Sequence, residues 1–235
     1  MTTGEHGPTA SEVREATGRH TDWLVATASA LSDGGGPSLC AGWTRGHILT
    51  HIARNADGMC AMARAALDGT GETMYASQER RDADIDGGSG RAMAALVADV
   101  RETGARVADA LARLDGIGAD VRVDRLPGGP QFRAVDLPRM RLREVVYHHV
   151  DLDAGFGFED VEPELVATFL QLEAGRAGLP AMTLAPDGGG PIDVGGGGRR
   201  ITGTAPALVR WLARRAPDGV SAADGADLPP IPRGL

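Results

Sequence analysis

Four long segments of this sequence repeat apolar residues at the spacing of an α-helix, and this pattern constrains the fold more than any other feature. The segments cover residues 10–32, 44–67, 91–114 and 138–152. Because apolar side chains three and four positions apart share one face of a helix, each segment is predicted to be amphipathic. Such helices bury their apolar faces against one another, so we expect a four-helix bundle over residues 1–155.

The remaining residues, 156–235, follow a different pattern. Helical periodicity returns at 163–177 and 207–219, and short extended runs interrupted by glycine lie between them, which is typical of a small antiparallel sheet. We interpret the GGGG run at 195–198 as a hairpin turn, because it lacks the Gly-Lys-Ser/Thr signature of a phosphate-binding loop. The predicted fold class is therefore α+β, with an N-terminal helical bundle and a small C-terminal α/β domain.

Composition and charge exclude several classes of partner. The net charge of -8 and the absence of a basic stripe argue against nucleic acid. The sequence shows neither a membrane-spanning apolar run nor the apolar core of a signal peptide, so we expect no membrane partner and a cytoplasmic location. Two cysteines, Cys40 and Cys60, cannot form a disulfide framework and are interpreted as small buried or half-buried thiols. The sequence contains arginine but no lysine, a usage typical of GC-rich genomes such as those of actinobacteria.

Two of the predicted helices carry possible metal ligands four residues apart, and this spacing places them on one helical face. His47 and His51 form the first pair, and Glu144 and His148 form the second. A helical projection places His51 beside the inward stripe and His47 farther out. Glu144 and His148 share the corresponding flank of their helix with Asp151.

Two imidazoles and a carboxylate are a usual ligand set for catalytic zinc, because they leave a coordination position open. We therefore predict that His51, Glu144 and His148 hold a divalent metal between two helices. Asp151 or Asn55 would lie behind the ligands and orient an imidazole. The alternative is that the glutamate and histidine form an ordinary surface pair, and spacing alone leaves both interpretations open.

The motifs GWTRGHILTHIARNADGM (42–59) and LREVVYHHVDLDAGF (142–156) resemble the mycothiol-dependent maleylpyruvate isomerases, a branch of the DinB-like metal-binding four-helix bundles. The likeness covers nearly the whole chain and includes GTAPALVRWLARR (203–215). It implies a DinB-like bundle that binds a divalent metal, usually zinc, and a small α/β domain that closes over the site. It also matches His51, Glu144 and His148 to the ligands of the family.

The resemblance further implies an arginine near the end of the last helix that reaches the active site. Arg215 matches it best, and Arg214 is the alternative. Arg81 is a second candidate, because the planar guanidinium of arginine suits a substrate carboxylate. A solvated surface charge is the alternative interpretation of Arg81.

The implied function is cis–trans isomerisation of maleylpyruvate, or a similar cis-ene diacid, to fumarylpyruvate. Zn²⁺ or another divalent metal and mycothiol, as thiol cosubstrate, are the implied cofactors, and residues that bind mycothiol are not predicted. One alternative is a small-thiol S-transferase that conjugates an electrophile. Another is a non-catalytic metal-binding or regulatory protein. The expected partners are a small-molecule substrate and a low-molecular-weight thiol, and the expected assembly is a monomer or dimer.

Overall fold

The computed structural model describes residues 8–232, and the chain divides into two compact units, Met1–Gly155 and Phe156–Leu235. The first unit contains helices and a hairpin: α1 (Ala10–Ser29), α2 (Arg45–Asp68), α3 (Gln78–Ser89), α4 (Met93–Ala112), β1 (Arg122–Asp124), β2 (Gln131–Arg133) and α5 (Leu137–Asp151). The second contains α6 (Pro163–Ala174), β3 (Met182–Pro186), β4 (Ile192–Val194), β5 (Arg199–Gly203), α7 (Ala205–Arg214) and β6 (Val220–Ala222). Within residues 8–232, none of the helices has the length and apolar character needed to cross a bilayer.

The four predicted amphipathic segments form α1, α2, α4 and α5, and these helices pack on one another as a bundle. Local sequence signals set their ends: Thr9 and Glu12 form a capping box at the start of α1, and Gly69 ends α2 with a left-handed φ of 65°. The main core cluster is aliphatic and fully buried: Leu24, Ile48, Leu49, Ile52, Leu96, Val100, Val145 and Leu152. A second cluster, which includes Met59, Met62, Val107 and Leu111, continues the apolar core of the unit.

Two segments that the periodicity left undecided are regular in the structure. The polar stretch at 74–90, whose sequence indicates a loop or a short helix, forms α3, in which Ile85 is the buried residue. The stretch at 121–138, whose sequence indicates an irregular segment with room for a short extended piece, contains the antiparallel hairpin of β1 and β2, with Val123 opposite Phe132. Helix α3 packs so closely on α2 that a Cβ atom at Gly46 would overlap the carbonyl oxygen of Ser89.

The predicted antiparallel sheet of the second unit is mixed, with strand order β4-β3-β5-β6. Strands β3 and β5 are parallel, with Leu184 opposite Ile201, whereas the β3–β4 and β5–β6 pairs are antiparallel. The hairpin interpretation of residues 195–198 is wrong, because the strands that this run joins lie on opposite sides of β3. Its four glycines all have positive φ, and a Cβ at Gly198 would lie 3.0 Å from the carbonyl oxygen of Ala181. Only glycine allows this close crossing.

Candidate metal centre

The start of α2 separates the roles of its two histidines. Thr44 is the N-cap residue, and its backbone N–H donates to Nδ1 of His47 over 3.1 Å. The His47 ring also stacks beside the indole of Trp43, with 6.3 Å between ring centroids. His47 is therefore engaged in the helix cap. One turn later, His51 is 4% exposed and reaches α5.

Three side chains from α2 and α5 converge in the bundle. Nε2 of His51 lies 3.0 Å from Oε2 of Glu144, and Nε2 of His148 lies 3.8 Å from the same oxygen. One ligand atom from each residue lies within 4.8 Å of the others. The Glu144 side chain is 32% exposed, so the cluster can be reached from outside. Two imidazole nitrogens and a carboxylate oxygen in this arrangement are suited to a divalent cation with a further position open.

His148 is oriented from behind by Asp151. Nδ1 of His148 lies 2.8 Å from Oδ2 of Asp151, a carboxylate that is fully buried. The contact has the distance of an ion pair but not the angle of a hydrogen bond. The negative charge beside Nδ1 favours a proton on this nitrogen, which leaves the Nε2 lone pair for the cluster. Sγ of Cys40 donates to the same carboxylate oxygen over 3.3 Å, and the backbone N–H of Leu39 donates to the Asp151 carbonyl. The loop before α2 is thereby held against the end of α5.

Asn55 supports the carboxylate ligand instead of an imidazole. Its Nδ2 donates to Oε2 of Glu144 over 3.1 Å, and its Oδ1 accepts from Nη1 of Arg141 over 2.7 Å. The sequence interpretation missed Arg141. A signal was present, since Arg141 lies three residues before Glu144 and seven before His148, on the same face of α5.

Helix α3 brings Arg81 to the cluster. Its side chain is 14% exposed, so the interpretation as a solvated surface charge is wrong, although one nitrogen pairs with Asp82. Nη2 lies 3.3 Å from Nδ1 of His51, and the guanidinium carbon lies 5.8 Å from the ring centroids of both Trp43 and Tyr75. Arginine only donates, so in this contact Nδ1 of His51 accepts and its proton sits on Nε2, facing Glu144. The two aromatic rings were not identified from the sequence.

The electrostatics of the cluster favour the ligand forms of His51 and Glu144. Burial lowers the pKa of His51 to about 4, an effect that its hydrogen bond with Glu144 partly opposes. Burial alone would raise the pKa of Glu144, but the hydrogen bond from His51 and the neighbouring basic side chains hold this pKa well below its usual range. At neutral pH the imidazole of His51 is therefore neutral and the carboxylate is ionised, and a metal needs both of these forms.

The predicted C-terminal arginines lie at the end of α7, in the second unit. Arg215 is the exposed C-cap residue and has a left-handed φ of 60°. Arg214 is half-buried, and its Nη1 donates to the carbonyl oxygen of Ala213 over 3.2 Å. The participation of either arginine in the site stays a prediction.

This protein belongs to the class of helical-bundle proteins that hold a candidate metal centre, formed by two histidines and a carboxylate, between two helices. In this protein a small α/β unit follows the bundle. The family model for the mycothiol maleylpyruvate isomerase N-terminal domain matches residues 13–153. The match spans more than half of the chain, so the protein belongs to the mycothiol maleylpyruvate isomerase family. The predicted family is thereby confirmed.

Solved structures agree with this assignment over the whole chain. A crystal structure of the mycothiol-dependent maleylpyruvate isomerase is 27% identical to this protein, with a TM-score of 0.84 and coverage of 100% of both chains. The structure of a histidine-to-alanine mutant of that isomerase is 26% identical, with the same TM-score and coverage. The predictions of an α+β fold and of an enzyme of this family are confirmed. No curated protein matched the sequence significantly.

Proposed function

We propose that this protein is a zinc- and mycothiol-dependent cis–trans isomerase that converts maleylpyruvate, or a similar cis-ene diacid, to fumarylpyruvate. The observation that carries the proposal is the convergence of His51, Glu144 and His148 within 4.8 Å between two bundle helices. The family assignment and the likeness to mycothiol-dependent maleylpyruvate isomerases support the specific reaction.

The reaction needs a temporary loss of the double bond. A thiolate adds to the electron-poor alkene, the resulting single bond rotates, and expulsion of the thiolate restores the alkene without net oxidation or reduction. A free thiol has a pKa of about 8.5 and is mostly protonated at neutral pH. Zinc, when bound by the three ligands, supplies the Lewis acidity that ionises the thiol.

The thiol is expected to come from outside the chain. Burial raises the pKa of Cys60, and the charge of Asp57 acts in the same direction, so this thiol is a poor nucleophile. The thiol of Cys40 donates to the buried carboxylate of Asp151. Both cysteines are free, a state typical of a reducing compartment, and we propose a cytoplasmic location on this basis.

Arg81 is proposed to bind a carboxylate of the substrate. When Nε2 of His51 binds a cation, the proton of the neutral ring must sit on Nδ1, where Arg81 donates in this structure. Two donors cannot share this contact, so the guanidinium has to leave Nδ1. It then offers its planar donor face to a diacid beside the cluster. Arg215 is proposed as a second arginine that acts on the substrate.

Metal analysis of the purified protein tests the ligand assignment. We expect stoichiometric zinc in the wild type and its loss in His51→Ala, Glu144→Ala and His148→Ala, with the helical circular dichroism signal retained. The matched control is His47→Ala, which removes a histidine from the same helix and should keep the metal. Unchanged zinc in the three ligand variants would reject the assignment.

The reaction is tested by incubating the zinc-loaded protein with maleylpyruvate, with and without mycothiol. Fumarylpyruvate that forms only in the presence of the thiol, with the thiol recovered, supports the isomerase. A stable thioether product from maleylpyruvate or another electrophile would instead indicate the S-transferase. Zinc binding without turnover of any electrophile would favour a non-catalytic role.

A further inference from the structure

Arg141 is a fully buried arginine in the bundle, one turn before Glu144 on α5. Arginine is almost never fully buried unless it is paired. Its Nη1 donates to the carbonyl oxygen of Ile52 over 3.0 Å and to Oδ1 of Asn55 over 2.7 Å. Among the described residues, its buried Nε and Nη2 atoms have no hydrogen-bond partner. The charge therefore lies in the interior with only part of its donor capacity used.

This burial is costly for the fold. Desolvation lowers the pKa of Arg141 to about 10, so the side chain is still charged at neutral pH. Apolar residues of similar volume in such a position are often neutral or stabilising in comparison with a buried ion. Stability alone does not explain the arginine, and its position next to the candidate metal ligands suggests another role.

We propose that Arg141 is a positioning residue for the metal centre and acts on Glu144 through Asn55. This inference rests on the proposed metal site. An asparagine amide has an accepting end and a donating end, and either end can face a given neighbour. Because the guanidinium of Arg141 only donates, it holds Oδ1 of Asn55 on its own side. The Nδ2 donor must then face the carboxylate of Glu144.

The consequence is a carboxylate held in place before any cation arrives. Oε2 of Glu144 accepts from Nδ2 of Asn55 over 3.1 Å and contacts Nε2 of His51 over 3.0 Å. Without Arg141, the accepting end of Asn55 loses its anchor, and the side chain is free to move its donor away from the carboxylate of Glu144. Loss of residues that orient a metal ligand in this way typically weakens metal binding about 10–100-fold.

The test measures two quantities for the full-length protein: the zinc dissociation constant, by competition with a chromophoric chelator, and the melting temperature of the metal-free form. Arg141→Met should weaken zinc binding at least about tenfold while its metal-free melting temperature stays at or above the wild-type value. Arg141→Lys should bind zinc within about threefold of the wild type, because an ammonium can still donate to Asn55. Arg139→Met, an exposed change on the same helix, is the control and should alter neither quantity.

A double-mutant cycle tests the route through Asn55. Asn55→Ala should weaken zinc binding as Arg141→Met does, and the double variant should be no weaker than Asn55→Ala alone. Additive losses would overturn this route. Zinc binding by Arg141→Met within about threefold of the wild type would overturn the proposal. So would a loss of affinity that accompanies a lower metal-free melting temperature and is not restored by lysine. Absence of zinc from the wild type itself would reject the metal site first and this inference with it.

Discussion

Two histidines of the same helix, His47 and His51, show how position decides the chemistry of a side chain. The first accepts a hydrogen bond from the backbone at the helix start and stacks on Trp43. The second is buried between helices and contacts Glu144. Four residues of sequence therefore separate a histidine that caps a helix from one that is suited to a metal.

The buried state of His51 predicts a pH dependence for the stability of the metal-free protein. Its pKa is about 4 in the folded state and 6.5 in the unfolded state, so the unfolded chain binds more protons between these pH values. The stabilising effect is complete above pH 6.5 and is lost as the pH falls toward 4. Between pH 6.5 and 5 the free energy of unfolding should fall by about 2 kcal/mol.

Urea denaturation of the metal-free protein across this pH range measures the effect. The lowered pKa of Glu144 adds a further loss of stability below its ordinary value of 4.5. The His51→Ala variant should show a much smaller pH dependence between 6.5 and 5. An identical slope in the variant and the wild type would assign the effect to other groups.

Substitutions of Arg215 can separate the cost of its left-handed backbone conformation from its proposed function. With φ at 60°, this position favours glycine, so Arg215→Gly should stabilise the protein by about 0.5–1 kcal/mol. Arg215→Ala keeps a Cβ atom in the same conformation and should change stability little. If the guanidinium acts on the substrate, both variants lose turnover and keep their zinc. Wild-type turnover in both would remove Arg215 from the active site.

At the scale of elements, helix α2 brings the site together. It supplies His51 and Asn55 and packs against α3, α4 and α5. Two glycines of α2 allow neighbouring segments to approach the helix closely. A Cβ atom at Gly46 would overlap Ser89, and one at Gly58 would overlap Met74. Close packing of α3 on α2 is also what holds Arg81 beside the cluster.

A pair of glycine substitutions tests this packing. Gly46→Ala should destabilise the protein by about 1–3 kcal/mol, because the new methyl group meets the backbone carbonyl of Ser89. Gly18→Ala, inside α1, meets nothing within 4 Å and should stabilise by about 0.5–1 kcal/mol through helix propensity. Urea denaturation of both variants gives the two values. Changes of the same sign would contradict the proposed close contact between α2 and α3.

At the scale of the whole molecule, we assign metal binding to the first unit and the second proposed substrate arginine to the second unit. The three predicted ligands, together with Asn55, Arg141 and Asp151, lie in the first unit, and Arg215 lies in the second. The core of each unit includes aliphatic residues of its own helices. Metal binding is therefore expected to be a property of the first unit alone.

This division predicts the behaviour of a truncated chain of residues 1–155. The fragment should bind zinc with the stoichiometry and affinity of the full-length protein, because it contains every predicted ligand and its supporting residues. It should not isomerise maleylpyruvate if Arg215 is required. Zinc titration and the isomerase assay measure both properties, and the fragment with His51→Ala is the control. Loss of zinc binding by a folded fragment would show that residues beyond 155 are needed.

Most of the bundle could be predicted from the sequence, because helix periodicity and helix ends are local properties. The apolar repeats located α1, α2, α4 and α5, and the four-residue spacing of Glu144 and His148 placed them on one face. Helix α3 was left undecided because it buries a single apolar residue, Ile85. The mixed sheet was missed because strand pairing depends on partners that are distant in the chain.

The sequence by itself determined the amphipathic helices and a short list of possible ligands, since both follow from residue types at fixed spacing. The tertiary structure alone decided that His51 meets Glu144, that Arg81 faces Nδ1 of His51, and that Arg141 is buried. These are contacts between separate elements. The spacing of residues along a helix gives the face on which a side chain lies, and only the packing of helices decides what that face meets.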